Sequence, residues 1–291
     1  MKNAGLLLCV LLFASLGRLS AQVTVEVLTD QDEFLPGEAI PVIARITNRS
    51  GQTLKFGPER GWLKFVVQAK EGYVAMKNGE PAVDEEFTLQ SSEFANVRVN
   101  LAPYFQLEKA GHYSIAATVT IPEWKRQIHS DAKAFDVING ARVWQEEFGV
   151  PKRPGDTNPV PEMRIYGLQQ ANYLRRNLML YVQVTDSVGK INKVQAIGPM
   201  ISFGQPTAQV DKLSNLHVLY QIGPRTFSYT VTTPDCDIIT RQTYDYTTRP
   251  KMIADADGNI TVDGGSRRIA LDDLPAPKSP AGNDVSASPI P

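Results

Sequence analysis

Apolar and polar residues alternate along most of this chain. Val23, Val25 and Val27 point one way and Thr24 and Glu26 the other, and Ile40, Val42, Ala44 and Ile46 share one face of the next such segment. A period of two over six or more residues is the pattern of a half-buried strand. Trp62 to Gln68, Phe94 to Leu101, His112 to Ile121 and Ala132 to Val137 continue the series, and a short stretch around Leu54 to Phe56 brings the strands expected before Ile138 to seven. Between the first two, Leu35-Pro36-Gly37-Glu38 is turn chemistry, with proline presetting one torsion and glycine taking the next. Asn48-Arg49-Ser50-Gly51 marks a further reversal.

The segment Glu108 to Val119 reads E-K-A-G-H-Y-S-I-A-A-T-V, a glycine, a tyrosine two residues on, and then Ile115, Ala117 and Val119 on one face. With L-P-G-E-A-I-P-V-I-A-R-I-T-N-R-S-G from Leu35, it resembles exported immunoglobulin-like or fibronectin-like domains, in which a tyrosine hydroxyl ties the corner back to upstream backbone. The resemblance implies a β-sandwich over 22–138 with Tyr113 in a structural role. Ile115 stands where antibody-type domains carry a cysteine, so the core would be closed by packing alone.

Beyond this, 139–161 gathers Pro151, Pro154, Pro159 and Pro161 and is expected to be a Pro-rich linker, with Val143, Trp144 and Phe148 available as a short docking strand. Residues 162–268 are expected to form a second antiparallel β domain. There Asn177, Asn215 and Asn259 each precede an alternating strand, and Asp211 and Asp255 stand four residues before the latter two. The spacing is roughly forty residues, the size of one propeller blade, which predicts blade-like hairpin repeats. Residues 269–291, rich in proline and small residues, are expected to be a disordered tail. The fold class expected is therefore all-β, an immunoglobulin-like sandwich followed by a second β domain with blade-like repeats.

The amino terminus changes the compartment. Lys2, an apolar run from Gly5 to Gly17 and small residues at Ser20-Ala21 describe a secretory signal peptide over 1–21. Its apolar run is too short to span a bilayer comfortably, and no second one follows, so no membrane span is expected after cleavage. Basic and acidic residues nearly balance, 30 against 31, and no Lys or Arg tract exists to neutralise a row of phosphates, which argues against nucleic acid. Cys9 leaves with the leader and Cys236 is then alone, so no intramolecular disulfide can form. A secreted or periplasmic location follows.

Candidate chemistry is sparse. His112, His129 and His217 show no ligand spacing, and no nucleophile elbow, phosphate loop or zinc motif occurs. Cys236 lies in a Pro-Asp-Cys-Asp turn, where flanking aspartates disfavour a reactive thiolate, although an exposed thiol there would permit dimerisation. Asp255, Asp257 and Asn259 have the alternation of a calcium loop, but the strand resumes at once and Asp-Gly is an ordinary hairpin pair. Among the aromatics, cross-strand packing is the reading to prefer; if a flat platform for sugar or peptide exists, Tyr229, Tyr244 and Tyr246 are the residues expected to make it. No cofactor is implied. The sequence reads as an exported, non-enzymatic binding, adhesion or scaffold protein with a protein or glycan partner at the cell envelope. The alternative is a glycan-active enzyme or its carbohydrate-binding accessory module.

Overall fold

A computed structural model describes residues 23–57, 59–70, 75–152, 162–173, 177–188, 191–274 and 286–289. The leader expected over 1–21 lies outside the described residues, as does most of the proline cluster after Lys152.

The first region contains β1 (Val23–Thr29), β2 (Glu33–Phe34), β3 (Pro41–Asn48), β4 (Leu54–Phe56), β5 (Leu63–Ala69), β6 (Phe87–Leu89), β7 (Glu93–Asn100), β8 (Gly111–Ile121), β9 (Arg126–His129) and β10 (Lys133–Val137). The alternation seen in the sequence becomes alternation of burial. In β3 and β8 every second side chain is buried, and β5 is buried and exposed in strict turn. One sheet runs β1-β3-β7 and the other β2-β10-β8-β5, with β9 on β8 and β4 paired to β6 as a separate ribbon. Their inward residues, among them Val42, Ile46, Val97, Phe65, Ile115 and Phe135, belong to one apolar cluster.

The second region contains β11 (Ala141–Gly149), β12 (Met163–Tyr173), β13 (Asn177–Asp186), β14 (Asn192–Pro199), β15 (Thr207–Val210), β16 (Leu216–Gly223), β17 (Thr226–Thr232), β18 (Ile238–Asp245), β19 (Lys251–Ala254), β20 (Ile260–Asp263) and β21 (Ser266–Arg268). They form a four-stranded meander β11-β12-β13-β14, a sheet β15-β16-β17-β18-β21, and a two-stranded ribbon β19-β20. The docking strand foreseen around Val143 to Phe148 is β11, which pairs with β12. The segment expected to be a tail from 269 is described as far as Leu274, which bridges Arg241, and again in β22 (Ser286–Pro289), which pairs with β7.

This is an all-β chain of open sheets, and two expectations from sequence fail. Among the described residues no sheet is closed or curled, so the immunoglobulin-like sandwich expected over 22–138 is not supported. The blade repeat fails as well, because the sheets that follow Asn177, Asn215 and Asn259 have four, five and two strands and stay open, so the three positions do not begin equivalent units. Alternation reports which face of a strand is buried and is silent on how sheets close. What does recur is a five-residue turn. Asp211 Oδ1 accepts from the backbone N–H of Leu213 and Asn215, both at 2.8 Å. Asp255 Oδ1 accepts likewise from Asp257 and Asn259, at 2.9 and 2.8 Å. Thr233 to Asp237 closes in the same way, the Asp237 N–H donating to Thr233 Oγ1 at 3.2 Å and the Thr233 N–H to the Asp237 carbonyl at 2.9 Å. In all three the fourth residue is left-handed, with φ of 64° at Ser214, 71° at Cys236 and 77° at Gly258. A side-chain acceptor at the first position and a left-handed fourth residue define a hairpin turn, and that local device accounts for the match between the Asp211 and Asp255 segments.

The two regions meet at the Leu35–Glu38 turn. Its closing bond runs from the Glu38 N–H to the Leu35 carbonyl at 3.0 Å, and the Gly37 carbonyl accepts from the Val194 N–H of β14, also at 3.0 Å. Gly37 has φ of 89°, and a Cβ there would stand 2.8 Å from the Asn192 carbonyl oxygen, so only glycine lets the turn lie against β14. Leu35 packs in one cluster with Ala171, Tyr181 and Val194.

Candidate functional site

The corner tyrosine does what its position suggested: the Tyr113 hydroxyl donates to the Lys109 carbonyl at 2.8 Å, and its ring stacks on Phe135. It is a structural tie.

The three tyrosines considered for ligand contact do not share one surface. Tyr229, on β17, is buried, and its hydroxyl lies 2.6 Å from His217 Nδ1 and 3.3 Å from the Ile260 carbonyl. Burial pushes that hydroxyl up to about 12. On its other side His217 Nε2 stands 3.1 Å from Asp211 Oδ2. A carboxylate can only accept, so Nε2 carries the proton that faces Asp211. Burial alone would raise the Asp211 carboxyl, but the bonds from His217 and Asn215 prevail and hold it below the usual range. The chain Asp211–His217–Tyr229 resembles a proton relay in connectivity, yet it ends on a backbone carbonyl beneath the β19-β20 ribbon, so it fastens turn, sheet and ribbon together.

Tyr244, also pushed up by burial, donates to Gln242 Oε1 at 2.8 Å and lies under the Arg267 guanidinium, 5.8 Å from its ring centre. Arg267 is itself held by Asp273 at 2.7 Å. Met252 and Val262 of the ribbon pack on Leu219, Phe227, Tyr229 and Val231. A flat platform is therefore covered over most of its length. Asp255 spends both carboxylate oxygens on its own turn, Oδ2 accepting from Asn259 Nδ2 at 2.8 Å. Among the described residues no group of three or more His, Cys, Asp or Glu is placed to hold a metal ion.

Tyr246 alone remains open, 40% exposed, with its ring stacked at 6.3 Å on Phe227. Around this pair Gln221, Pro224, Arg225 and Arg249 complete a recess of ≈ 530 Å³. The β16-β17 hairpin shapes it. Gln221 Nε2 donates to the Gly223 and Pro224 carbonyls at 2.9 and 3.1 Å, fixing the turn. The turn is clipped to the end of β18 by two bonds, Tyr246 N–H to the Arg225 carbonyl at 2.8 Å and Arg225 Nη2 to the Tyr246 carbonyl at 2.9 Å. Phe203, 80% exposed, lies on the loop whose Ile201 N–H bonds the Gln221 carbonyl. Sequence reasoning found Tyr246 and missed Arg225, Arg249 and Gln221, which no periodicity links. The G-P-R-T turn before Phe227 was the one local signal.

A larger cavity, ≈ 680 Å³, follows the junction of the two regions and is lined by Glu38, Asn100, Gln106, Lys193, Asp235 and Cys236 among others. The polar side chains named, from Glu38 to Asp235, are engaged within the protein. Glu38 accepts from the Leu35 N–H at 2.8 Å and Gln31 Nε2 at 3.0 Å, and burial nonetheless raises its carboxyl. Cys236 is buried, contrary to an exposed, dimer-forming thiol, and faces the Lys193 carbonyl at 3.6 Å. Burial pushes the thiol up to about 12, Lys193 and Asp237 opposing one another as smaller influences.

Among the described residues, no helix is long and apolar enough to cross a membrane. No family model matches the chain, and no curated protein matches it. Among solved structures it is similar to the sporulation control protein Spo0M from Bacillus subtilis, at 9% identity and a TM-score of 0.30, over 69% of this chain and 79% of that one. A likeness that low carries no argument about function.

Proposed function

We propose that this is an exported binding protein that holds a ligand without turning it over, the first region serving as a mount and the second presenting the contact surface. The leader-like residues 1–21 support export to the envelope or beyond. The observation that carries the binding reading is the Phe227–Tyr246 recess, where an exposed Tyr246 ring backed by the buried Phe227 is rimmed by polar side chains at the end of a sheet whose other aromatic faces are covered. Exposed rings next to hydrogen-bonding groups are what sugars and flat polar ligands use. The test is a screen of the mature chain against glycans and cell-envelope extracts, with a parallel assay for product. Saturable binding reduced by Tyr246→Ala supports the reading. Release of hydrolysed product overturns it in favour of a glycan-active enzyme.

A further inference from the structure

We infer that the recess takes an anionic sugar, a ring with an apolar face and a carboxylate or sulfate substituent. This rests on the binding reading above and adds the charge of the ligand. Two arginines line the recess and neither has a carboxylate partner among the described residues. The nearest acid in sequence, Asp245, points to the opposite face of β18, where it meets Arg268 at 3.7 Å. Arg225 uses one N–H on the Tyr246 carbonyl, which fixes the guanidinium beside the ring and leaves the rest of its donors unspent. Arg249 is exposed and makes no bond to the protein among the described residues. Gln221 donates through Nε2 only, leaving Oε1 to accept from a hydroxyl.

The pieces address different parts of one ligand. A sugar ring lays its C–H face on Tyr246, an aromatic surface of matching size. Guanidinium forks match the two oxygens of a carboxylate or sulfate, and such charge-assisted bonds are about twice as strong as neutral ones. A small carboxylate with no apolar face would meet the arginines but leave the ring without a partner, and a neutral sugar would leave both cations unused.

The probes are a galacturonate oligomer, a sulfated galactose oligomer and a neutral galactose oligomer of equal length, titrated calorimetrically into the mature chain. One or both anionic oligomers should bind at least about tenfold more tightly than the neutral one, as expected for a charge-assisted pair. That preference should shrink as salt rises, since the site is open to solvent. Which arm binds identifies the anionic group. Arg249→Gln, which removes no bond within the protein, should lower anionic binding about tenfold and leave neutral binding and the thermal melt unchanged; Arg225→Gln should do the same with some loosening of the hairpin. Equal affinity for all three oligomers, lost in Tyr246→Ala, would overturn the anionic assignment and leave the recess a binding site. Anionic binding indifferent to both arginine changes would also overturn it. Binding of none of the three, with an uncharged ligand from the envelope screen still lost in Tyr246→Ala, would overturn this inference alone; no Tyr246-dependent ligand of any kind would overturn the underlying reading as well.

Discussion

The two halves of the chain are held together by different physics. In the first region the inward residues of two sheets merge in a single apolar cluster, and buried polar side chains are few. In the second, the apolar residues are divided among a cluster around Tyr166 and Tyr220, another around Phe227 and Tyr229, and the junction cluster of Ala171, Tyr181 and Val194 with Leu35. Polar ties link its two larger sheets: the Tyr166 hydroxyl donates to the Ser214 carbonyl at 2.9 Å and the Tyr220 hydroxyl to the Ile197 carbonyl at 2.6 Å. Arg164 reaches Glu162 at 2.6 Å and Asp235 at 2.9 Å. Apolar burial is non-directional and scales with area. Hydrogen-bonded networks fix geometry and are costly only when half of one is removed. The first half is therefore suited to bearing load and the second to holding a site in position.

The largest expected effect breaks the first half. Phe65 is fully buried between the sheets, and Phe65→Ala should cost about 3–5 kcal/mol, the transfer loss plus the cavity left behind. Chemical denaturation would measure it. A cavity in this apolar cluster should lower stability without changing its pH dependence; a cost under about 1 kcal/mol would mean that the core relaxes around the gap and is looser than its burial indicates.

In the second half the counterpart is Arg164→Ala, which removes a buried guanidinium from two carboxylates and from the Pro234 carbonyl, 2.7 Å away. Both carboxylates are about half open to water, so the loss should fall below the range for a fully buried pair, at about 2 kcal/mol. Exchange of backbone amides in β12 and in the Thr233–Asp237 turn should speed up while β3 and β8 stay protected. Uniform loosening of both halves would show that they unfold as one unit.

This contrast explains what the sequence disclosed. Residues that work through periodicity were legible: the faces of β3 and β8, the Leu35–Glu38 turn and the Tyr113 corner all follow from neighbours within a few positions. How the sheets close was not, nor was the cover over Tyr229, since β19 and β20 lie more than twenty residues further on and alternation says nothing of what covers a face. The Asp211–His217 pair lies within seven residues and is still not legible, because a structural tie has no metal-ligand or catalytic spacing to mark it. Arg164 and Asp235 are 71 residues apart and meet only through the fold.

Acid should separate the halves by sign. The Asp211 carboxyl is lower in the fold than in the unfolded chain, so its stabilisation is present above the unfolded value and is lost as pH falls through the folded one. Glu38 is raised, so its contribution is fully present below the unfolded glutamate value and is lost as pH rises through the folded one. On acidification toward about pH 4, Glu38→Gln should remove a gain in stability; below about pH 4, Asp211→Asn should remove a loss. At neutral pH Asp211→Asn should cost about 1–2 kcal/mol, because His217 and the turn N–H groups lose a charged acceptor. Melting curves against pH for the two variants and the parent measure both. The same acid response in each variant would show that neither carboxyl sets the pH dependence.

The smallest effect is expected at Cys236, where two terms oppose each other. Its backbone is left-handed, a conformation that disfavours any side chain, and glycine there would relieve about 1 kcal/mol. The thiol is also buried among the carbonyls of Val182 and Lys193, and deleting it forfeits packing of similar size. Cys236→Gly should therefore shift stability by no more than about 1 kcal/mol in either direction. The same burial that raises the thiol should keep it unreactive toward a disulfide reagent until the fold opens. Labelling in the native state, compared with labelling in denaturant, reads this directly. Rapid native labelling would mean that the junction between the regions opens well below global unfolding, and that the first half is a less rigid mount than its core implies.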